Sequence, residues 1–169
     1  MRRTILPIAA LLLVTACGSG KTASSTGTGA PAGDPVASKK LDAAGVFKAL
    51  AAGVPRASLS GTVTAANDPN HLLGRPNQYT SKVTFTDSRI KAADVEGADK
   101  GDVERGGAIE VFGDPSGAQA RAKYIQAIAK SLPAVAEYDY VHGPVLVRVS
   151  HYLTPTQAAA YKATLDKLN

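Results

Sequence analysis

The side chains best suited to chemistry in this sequence are three histidines, one cysteine and a run of acidic residues. His71, His142 and His151 lie far apart, and none pairs with another at the spacing that places two metal ligands on one helix face. No second cysteine is present to complete a zinc site. We expect His142 to lie in a hairpin turn and His151 at the end of a strand. We therefore predict no metal site and no cofactor.

The acidic run is a weak candidate for calcium. Its five carboxylates fall between residues 94 and 104, at Asp94, Glu96, Asp99, Asp102 and Glu104. Calcium prefers such oxygens, but the EF-hand spacing is absent, and Lys100 interrupts the run. A solvated loop is the favoured interpretation. The sequence also contains no G-x-S-x-G elbow and no glycine-rich phosphate-binding motif.

A long connection between two predicted strands, "DPNHLLGRPNQYTSK" over residues 68–82, is the most unusual stretch of the chain. Structured loops of this length are uncommon unless they bind something or pack as a unit. In the first interpretation Leu72 and Leu73 anchor a recognition loop, and Arg75 meets a carboxylate or phosphate. The polar groups of that candidate binding loop are His71, Arg75, Gln78 and Tyr79. In the second, favoured interpretation the leucines tuck under the sheet and Arg75 binds carbonyls of its own loop.

The single cysteine, Cys17, follows an apolar run, "ILPIAALLLV" over residues 5–14, which is preceded by Arg2 and Arg3. A basic start, a short apolar run and small residues are the layout of a secretory signal peptide. The run is too short to cross a bilayer, which needs about 20 apolar residues. We predict a signal peptide over residues 1–16.

Residues 14–17, "VTAC", resemble the bacterial lipobox. The resemblance implies cleavage after Ala16 and a diacylglycerol on the Cys17 thiol. Two acyl chains give stable anchoring, whereas one holds weakly. The competing interpretation, a secreted protein with a free thiol, leaves a reactive group in an oxidising compartment. We expect a location on the extracytoplasmic face of the cell membrane.

The segment from 17 to 40 is rich in Gly, Ser, Thr, Ala and Pro, which predicts a flexible linker behind the lipidated cysteine. Residues 41–169 carry 14 basic and 13 acidic side chains, although the whole chain has a formal charge of +5. Because the excess positive charge lies mostly outside this part, we predict no nucleic-acid-binding face.

Periodicity and capping residues predict one domain over residues 41–169. Helices are predicted over 41–52, 114–132 and 154–167, strands over 57–65, 79–87 and 108–112, and a hairpin over 137–150. The order α-β-β-β-α-β-β-α indicates an α+β fold, an antiparallel-rich sheet of about five strands with helices packed on one face. Residues 108–168 resemble part of a ferredoxin-like arrangement.

Two of these elements carry more detailed predictions. The middle helix has an apolar stripe made of Tyr124, Ile125, Ile128 and Leu132. The hairpin is predicted to turn at His142-Gly143, with both tyrosines facing one way and an ion pair between Glu137 and Arg148 facing the other. The predicted cross-strand pairs are Tyr140–Val145, Tyr138–Val147 and Glu137–Arg148.

The segments "LLGRP", "GGAIEVF" and "AEYDYVHGPVLVRVS" resemble those of small actinobacterial cell-surface lipoproteins, a likeness that implies a location and no activity. Two hypotheses follow for the function. The first is a non-catalytic binding or interaction module of the cell envelope, whose partner is an envelope protein or a cell-wall ligand. The alternative is a lipid-anchored envelope hydrolase that uses His71 or the acidic run. We favour the first, and with it a protein that is not an enzyme.

The lipid anchor is tested by Cys17→Ser in the full-length protein. Without the thiol no diacylglycerol is attached, so the protein should leave the membrane fraction or accumulate in its unprocessed form. Fractionation and gel mobility measure both effects. Membrane retention and size that match the wild type would contradict lipidation.

Overall fold

The computed structural model describes residues 41–168, which form three helices and a five-stranded antiparallel sheet. The predicted signal peptide, Cys17 and the linker lie outside the described residues. The elements are α1 (Ala43–Gly53), β1 (Ala57–Thr62), β2 (Ser81–Asp87), β3 (Gly106–Val111), α2 (Pro115–Ser131), β4 (Glu137–His142), β5 (Val145–Ser150) and α3 (Pro155–Leu165). The predicted α+β class and element order are confirmed.

The sheet has the strand order β1-β2-β3-β5-β4, and every neighbouring pair is antiparallel. Its central register aligns Val83, Ile109 and Val147 across three strands. Side chains alternate between the two faces of a strand, so these residues share one face, which we call the first face. The next residues along the strands, Lys82, Glu110 and Leu146, align in the same way on the second face.

The main hydrophobic core lies between the first face and the helices α1 and α3. Phe85 is at its centre, with its ring stacked 5.3 Å from that of Tyr161 on α3. Gly107 makes room for this ring, since a Cβ at Gly107 would overlap both Phe85 and the Arg148 carbonyl. Leu50 of α1 and Leu165 of α3 are also fully buried here.

All three helices begin at the capping residues that the sequence indicates. The Asp42 carboxylate accepts from the Gly45 N–H at 2.7 Å, and the Asp114 carboxylate accepts from the Gly117 N–H at 3.0 Å. Thr154 and Gln157 cap α3 reciprocally. These local hydrogen bonds fix where each helix starts, and therefore where it meets the sheet.

Helix α2 corrects the expectation that the helices pack on one face. It lies on the second face, where Ala118, Ala122 and Ile125 pack against Leu146. Small residues let the helix come close to the sheet, so the buried side of α2 is not its bulkiest side. Of the predicted apolar stripe only Ile125 is buried, and the other three members are exposed.

The hairpin register also differs from the prediction, by two residues. The turn is Gly143-Pro144, with His142 paired to Val145, so that Tyr140 lies opposite Val147 and Tyr138 opposite Val149. Gly143 has a φ of +51°, and proline holds its own φ negative, which is the pattern of a turn with one left-handed residue. A register shift of two residues leaves every side chain on the same face of the sheet, so the predicted faces are correct.

Candidate functional site

The second face contains a buried ion cluster centred on Glu110 of β3. This side chain is 0% exposed, and three cations surround it. Lys82 Nζ lies 3.1 Å from Oε1, Arg148 Nη1 lies 3.3 Å from the same oxygen, and Arg121 Nε lies 3.2 Å from Oε2. The cations come from β2, β5 and α2, so the cluster exists only when sheet and helix are assembled.

The charge of Glu110 is set by its cations. Burial alone would raise the pKa of the Glu110 carboxyl, but the positive charges of Lys82, Arg148 and Arg121 hold it below its ordinary value. Glu110 is therefore ionised at neutral pH. Folding stability gained from this ionisation is present above the ordinary pKa of glutamate and is lost as the pH falls through the depressed value.

A second pair of carboxyl groups extends the cluster toward the sheet edge. Glu137 of β4 accepts two hydrogen bonds from Arg148, at 2.6 Å from Nε and 2.8 Å from Nη2. The predicted Glu137–Arg148 ion pair is thus present, although the residue directly opposite Arg148 is Asp139. Both Asp139 carboxyl oxygens are buried and have no partner among residues 41–168. Burial, with the adjacent Glu137 charge, raises the pKa of Asp139 to about 8.

A groove of about 390 Å³ opens above this cluster. Lys82, Ala108 and Arg148 form its floor, and two walls flank it. One wall is α2, and the other is the segment 101–104, which Ser150 holds by donating from Oγ to the Glu104 carbonyl at 2.8 Å. Charged side chains therefore line the base of a cavity that is open to solvent.

The groove continues across the sheet toward β1. An adjoining cavity of about 450 Å³ shares Pro69, Lys82, Gly101 and Asp102 with it and is lined further on by hydroxyl groups. Ser60 Oγ and Thr84 Oγ1 of that part lie 2.9 Å apart in a hydrogen bond. The floor of both cavities is polar, in contrast to the largely apolar first face.

The loop at residues 68–82 folds as a unit around Asp68, which the sequence analysis did not single out. Its buried carboxylate accepts from the N–H groups of Asn70, Leu72 and Leu73 and from the Tyr79 hydroxyl at 2.7 Å. Burial opposes ionisation here, but the hydrogen bonds hold the pKa of Asp68 at about 2. Leu72 and Leu73 pack on the cluster that contains Tyr79, as the favoured interpretation expects.

The four candidate residues of that loop do not form one surface. Tyr79 is a core residue with 0% exposure, and its ring lies edge-on to Phe112. His71 and Arg75 are exposed and border a shallow cavity of about 210 Å³, whereas Gln78 lines a different one beside α2. Neither His71 nor Arg75 makes a side-chain hydrogen bond within the described part of the chain, so Arg75 does not bind its own loop carbonyls.

The remaining candidates from the sequence are His142, His151 and the acidic run. His142 ends β4 beside the turn, and His151 follows β5, where Nδ1 lies 2.9 Å from the Ala136 carbonyl oxygen. In the acidic run, Asp102 accepts from the Asp99 N–H at 2.7 Å, and Asp102 and Glu104 border the groove. Within residues 41–168 no three His, Cys, Asp or Glu side chains are grouped to hold a metal ion.

The ion cluster beneath the groove carried one signal in the sequence. Glu110 is the only charged residue of "GGAIEVF", and a charge inside an apolar strand needs a partner when it is buried. Its partners, Lys82, Arg121 and Arg148, are 11 to 38 residues away along the chain, at distances that no local spacing rule covers.

Comparison of the chain with protein-family models, with curated proteins and with solved structures found no match. In the described residues no helix is long and apolar enough to cross a membrane.

The raised pKa of Asp139 predicts a pH-dependent effect of Asp139→Asn. The folded wild type keeps a proton that the unfolded chain loses near pH 4, so its stability falls between about pH 4 and pH 8. The asparagine variant has no such loss. Its advantage over the wild type should grow across this range to about 1–2 kcal/mol, less than the full pKa shift would give, because the half-buried Asp139 side chain can relax toward solvent when it ionises.

Thermal unfolding at pH 5 and pH 9 measures this difference. Asp94→Asn is the matched control, because Asp94 is exposed. A stability difference between Asp139→Asn and the wild type that is the same at pH 5 and pH 9 would show that Asp139 is ionised at both.

Proposed function

We propose that this chain is a lipid-anchored extracytoplasmic protein whose α+β domain is a non-catalytic binding module of the cell envelope, and that the groove on the second face is its binding surface. The observation that carries the proposal is the set of charged side chains buried at the floor of an open cavity. Cavities with a few convergent polar groups are the usual sites of ligand binding.

The energetics of the ion cluster support a role beyond stability. Removing charges from water is costly, and apolar side chains of similar volume often give equal or greater stability than a buried ion pair. Here Lys82, Glu110 and Arg148 occupy the face on which Leu146 and Ala108 also lie, and Arg121 reaches Glu110 from α2. The first face shows that this sequence builds a largely apolar layer elsewhere in the same sheet, with the Asp87–Arg89 ion pair at the end of β2.

The wall of the groove adds an apolar surface. Tyr124 and Ile128 of α2 are 59% and 39% exposed, and Val135, in the turn after the helix, is 39% exposed. All three line the groove. Exposed apolar side chains that are grouped together, with polar groups around them, mark interaction surfaces more often than isolated ones do.

Binding is favoured over hydrolysis by the way the charged groups are used. Glu110 and Arg148 are engaged with one another and with Lys82 and Glu137 through ion pairs. Groups held in this way form a fixed electrostatic surface. A hydrolase needs instead a free nucleophile or base, whereas Ser150 and His151, which line the groove, are bound to the Glu104 and Ala136 carbonyls.

The binding surface is tested by Tyr124→Glu in the full-length protein, captured from native membranes beside the wild type. A charge on the apolar wall should remove the protein, peptide or glycan material that the wild type retains. Leu59→Glu is the matched control, because Leu59 on β1 is an apolar side chain that is also exposed, at 49%, and lines neither part of the groove.

Mass spectrometry of the captured material gives the result. Loss in Tyr124→Glu with retention in Leu59→Glu is expected. Material captured equally by the wild type and Tyr124→Glu, or by none of the three proteins, would contradict the groove as a binding surface.

A further inference from the structure

Of the two arginines in the cluster, Arg121 is the one whose terminal nitrogens have no partner among the described residues. Its Nε is bound to Glu110, while Nη1 and Nη2 donate to no group within residues 41–168. Arg148 differs, because its Nε, Nη1 and Nη2 all have carboxylate partners. Lys82 approaches Glu110 with a compact ammonium group, which also lies 5.1 Å from the centre of the Tyr79 ring and lacks the planar pair of donors of a guanidinium.

The two unused nitrogens of Arg121 reach solvent. In the described chain, the only fully buried side-chain nitrogens or oxygens without a partner belong to Asp139. The Arg121 Nη atoms are therefore accessible, even though the side chain as a whole is only 12% exposed. Arg121 lines the groove and also the adjacent cavity beside Gln78. Glu110 thus orients a guanidinium group whose donors are open to the cavities.

The apolar wall begins directly beside this guanidinium. Arg121 Cζ lies 5.8 Å from the centre of the Tyr124 ring, and Ile128 follows one helical turn further along the same side of α2. Val135 continues the surface. The Arg121 guanidinium and the exposed apolar side chains therefore lie next to one another along one wall of the groove.

The charges around the groove limit the kind of anion that fits. Glu110 and Glu137 offset most of the positive charge of Lys82, Arg121 and Arg148, and Asp102 and Glu104 stand on the opposite wall. A doubly charged phosphate would therefore gain little net electrostatic attraction in the groove. A single carboxylate matches the planar pair of donors that one guanidinium offers.

We propose that the groove binds a monocarboxylate attached to an apolar group, with the carboxylate on Arg121 and the apolar part along Tyr124, Ile128 and Val135. This deepens the proposed function and rests on it. A hydrophobic peptide carboxyl terminus and a fatty acid share this chemistry.

Calorimetric titration of the full-length protein in detergent tests the proposal with two pairs of probes. The first pair is N-acetyl-phenylalanyl-leucine and its carboxamide, and the second is octanoate and octanamide. At least one acid should bind ten times more tightly than its own amide, since the amide lacks the charge that Arg121 recognises. The pair that shows this difference identifies the source of the carboxylate.

Variants locate the binding group. Arg121→Gln should weaken binding of the acid at least tenfold. Arg121→Lys should weaken binding as well, because lysine keeps the positive charge but lacks the two parallel donors of a guanidinium. Arg75→Gln, an exposed arginine outside the groove, should bind like the wild type. The comparison of acid with amide on the wild-type protein does not depend on how well any variant folds.

Three results would overturn the proposal: no binding of either acid, equal binding of acid and amide, or full binding by a folded Arg121→Gln. If one of these occurs while Tyr124→Glu still loses captured material, the groove binds a ligand of another class and the proposed function stands. If captured material is also unchanged, both proposals fail.

Discussion

The ionised carboxylate of Glu110 is the constraint on which the second face of this domain depends. It is wholly buried, and it draws Lys82, Arg148 and Arg121 from two strands and a helix toward a single point. An unpaired charge in this position would be strongly destabilising. The three cations are therefore held in place, and with them α2, the floor of the groove and the orientation of the Arg121 guanidinium.

The two faces of the sheet have different roles in this domain. The first face carries the apolar core with α1 and α3, in which Phe85 stacks on Tyr161 and the Tyr161 hydroxyl donates to the buried Asp87 carboxylate at 2.6 Å. Because burial of apolar surface is the dominant driving force of folding, this face accounts for most of the stability. The second face is then free to hold polar groups in a cavity.

The parts of the fold that the sequence predicts correctly depend on local physics. Asp42, Asp114 and Thr154 cap their helices through hydrogen bonds three residues away, and the alternation of apolar side chains in β2 and β5 identifies the face that carries the main core. The hairpin register failed because Pro144 belongs to the turn, and a shift of two residues leaves the alternation unchanged.

The site was harder to predict than the fold because its residues meet only through the strand order. Lys82, Glu110 and Arg148 become neighbours when β3 lies between β2 and β5, an arrangement that no local pattern encodes. The stripe of Tyr124, Ile128 and Leu132 was visible in the sequence, but periodicity alone does not distinguish a helix side that packs in the core from one that lines a cavity.

If an ionised Glu110 organises the second face, the unfolding free energy of Glu110→Gln must depend on pH in a way that exposed Glu96→Gln, the control, does not. We expect Glu110→Gln to lose about 3–5 kcal/mol of stability at pH 7, because three cations lose their shared partner. That deficit should shrink as the pH falls below the ordinary pKa of glutamate. A Glu110→Gln variant as stable as the wild type at pH 7, or a deficit independent of pH, would contradict this role of Glu110.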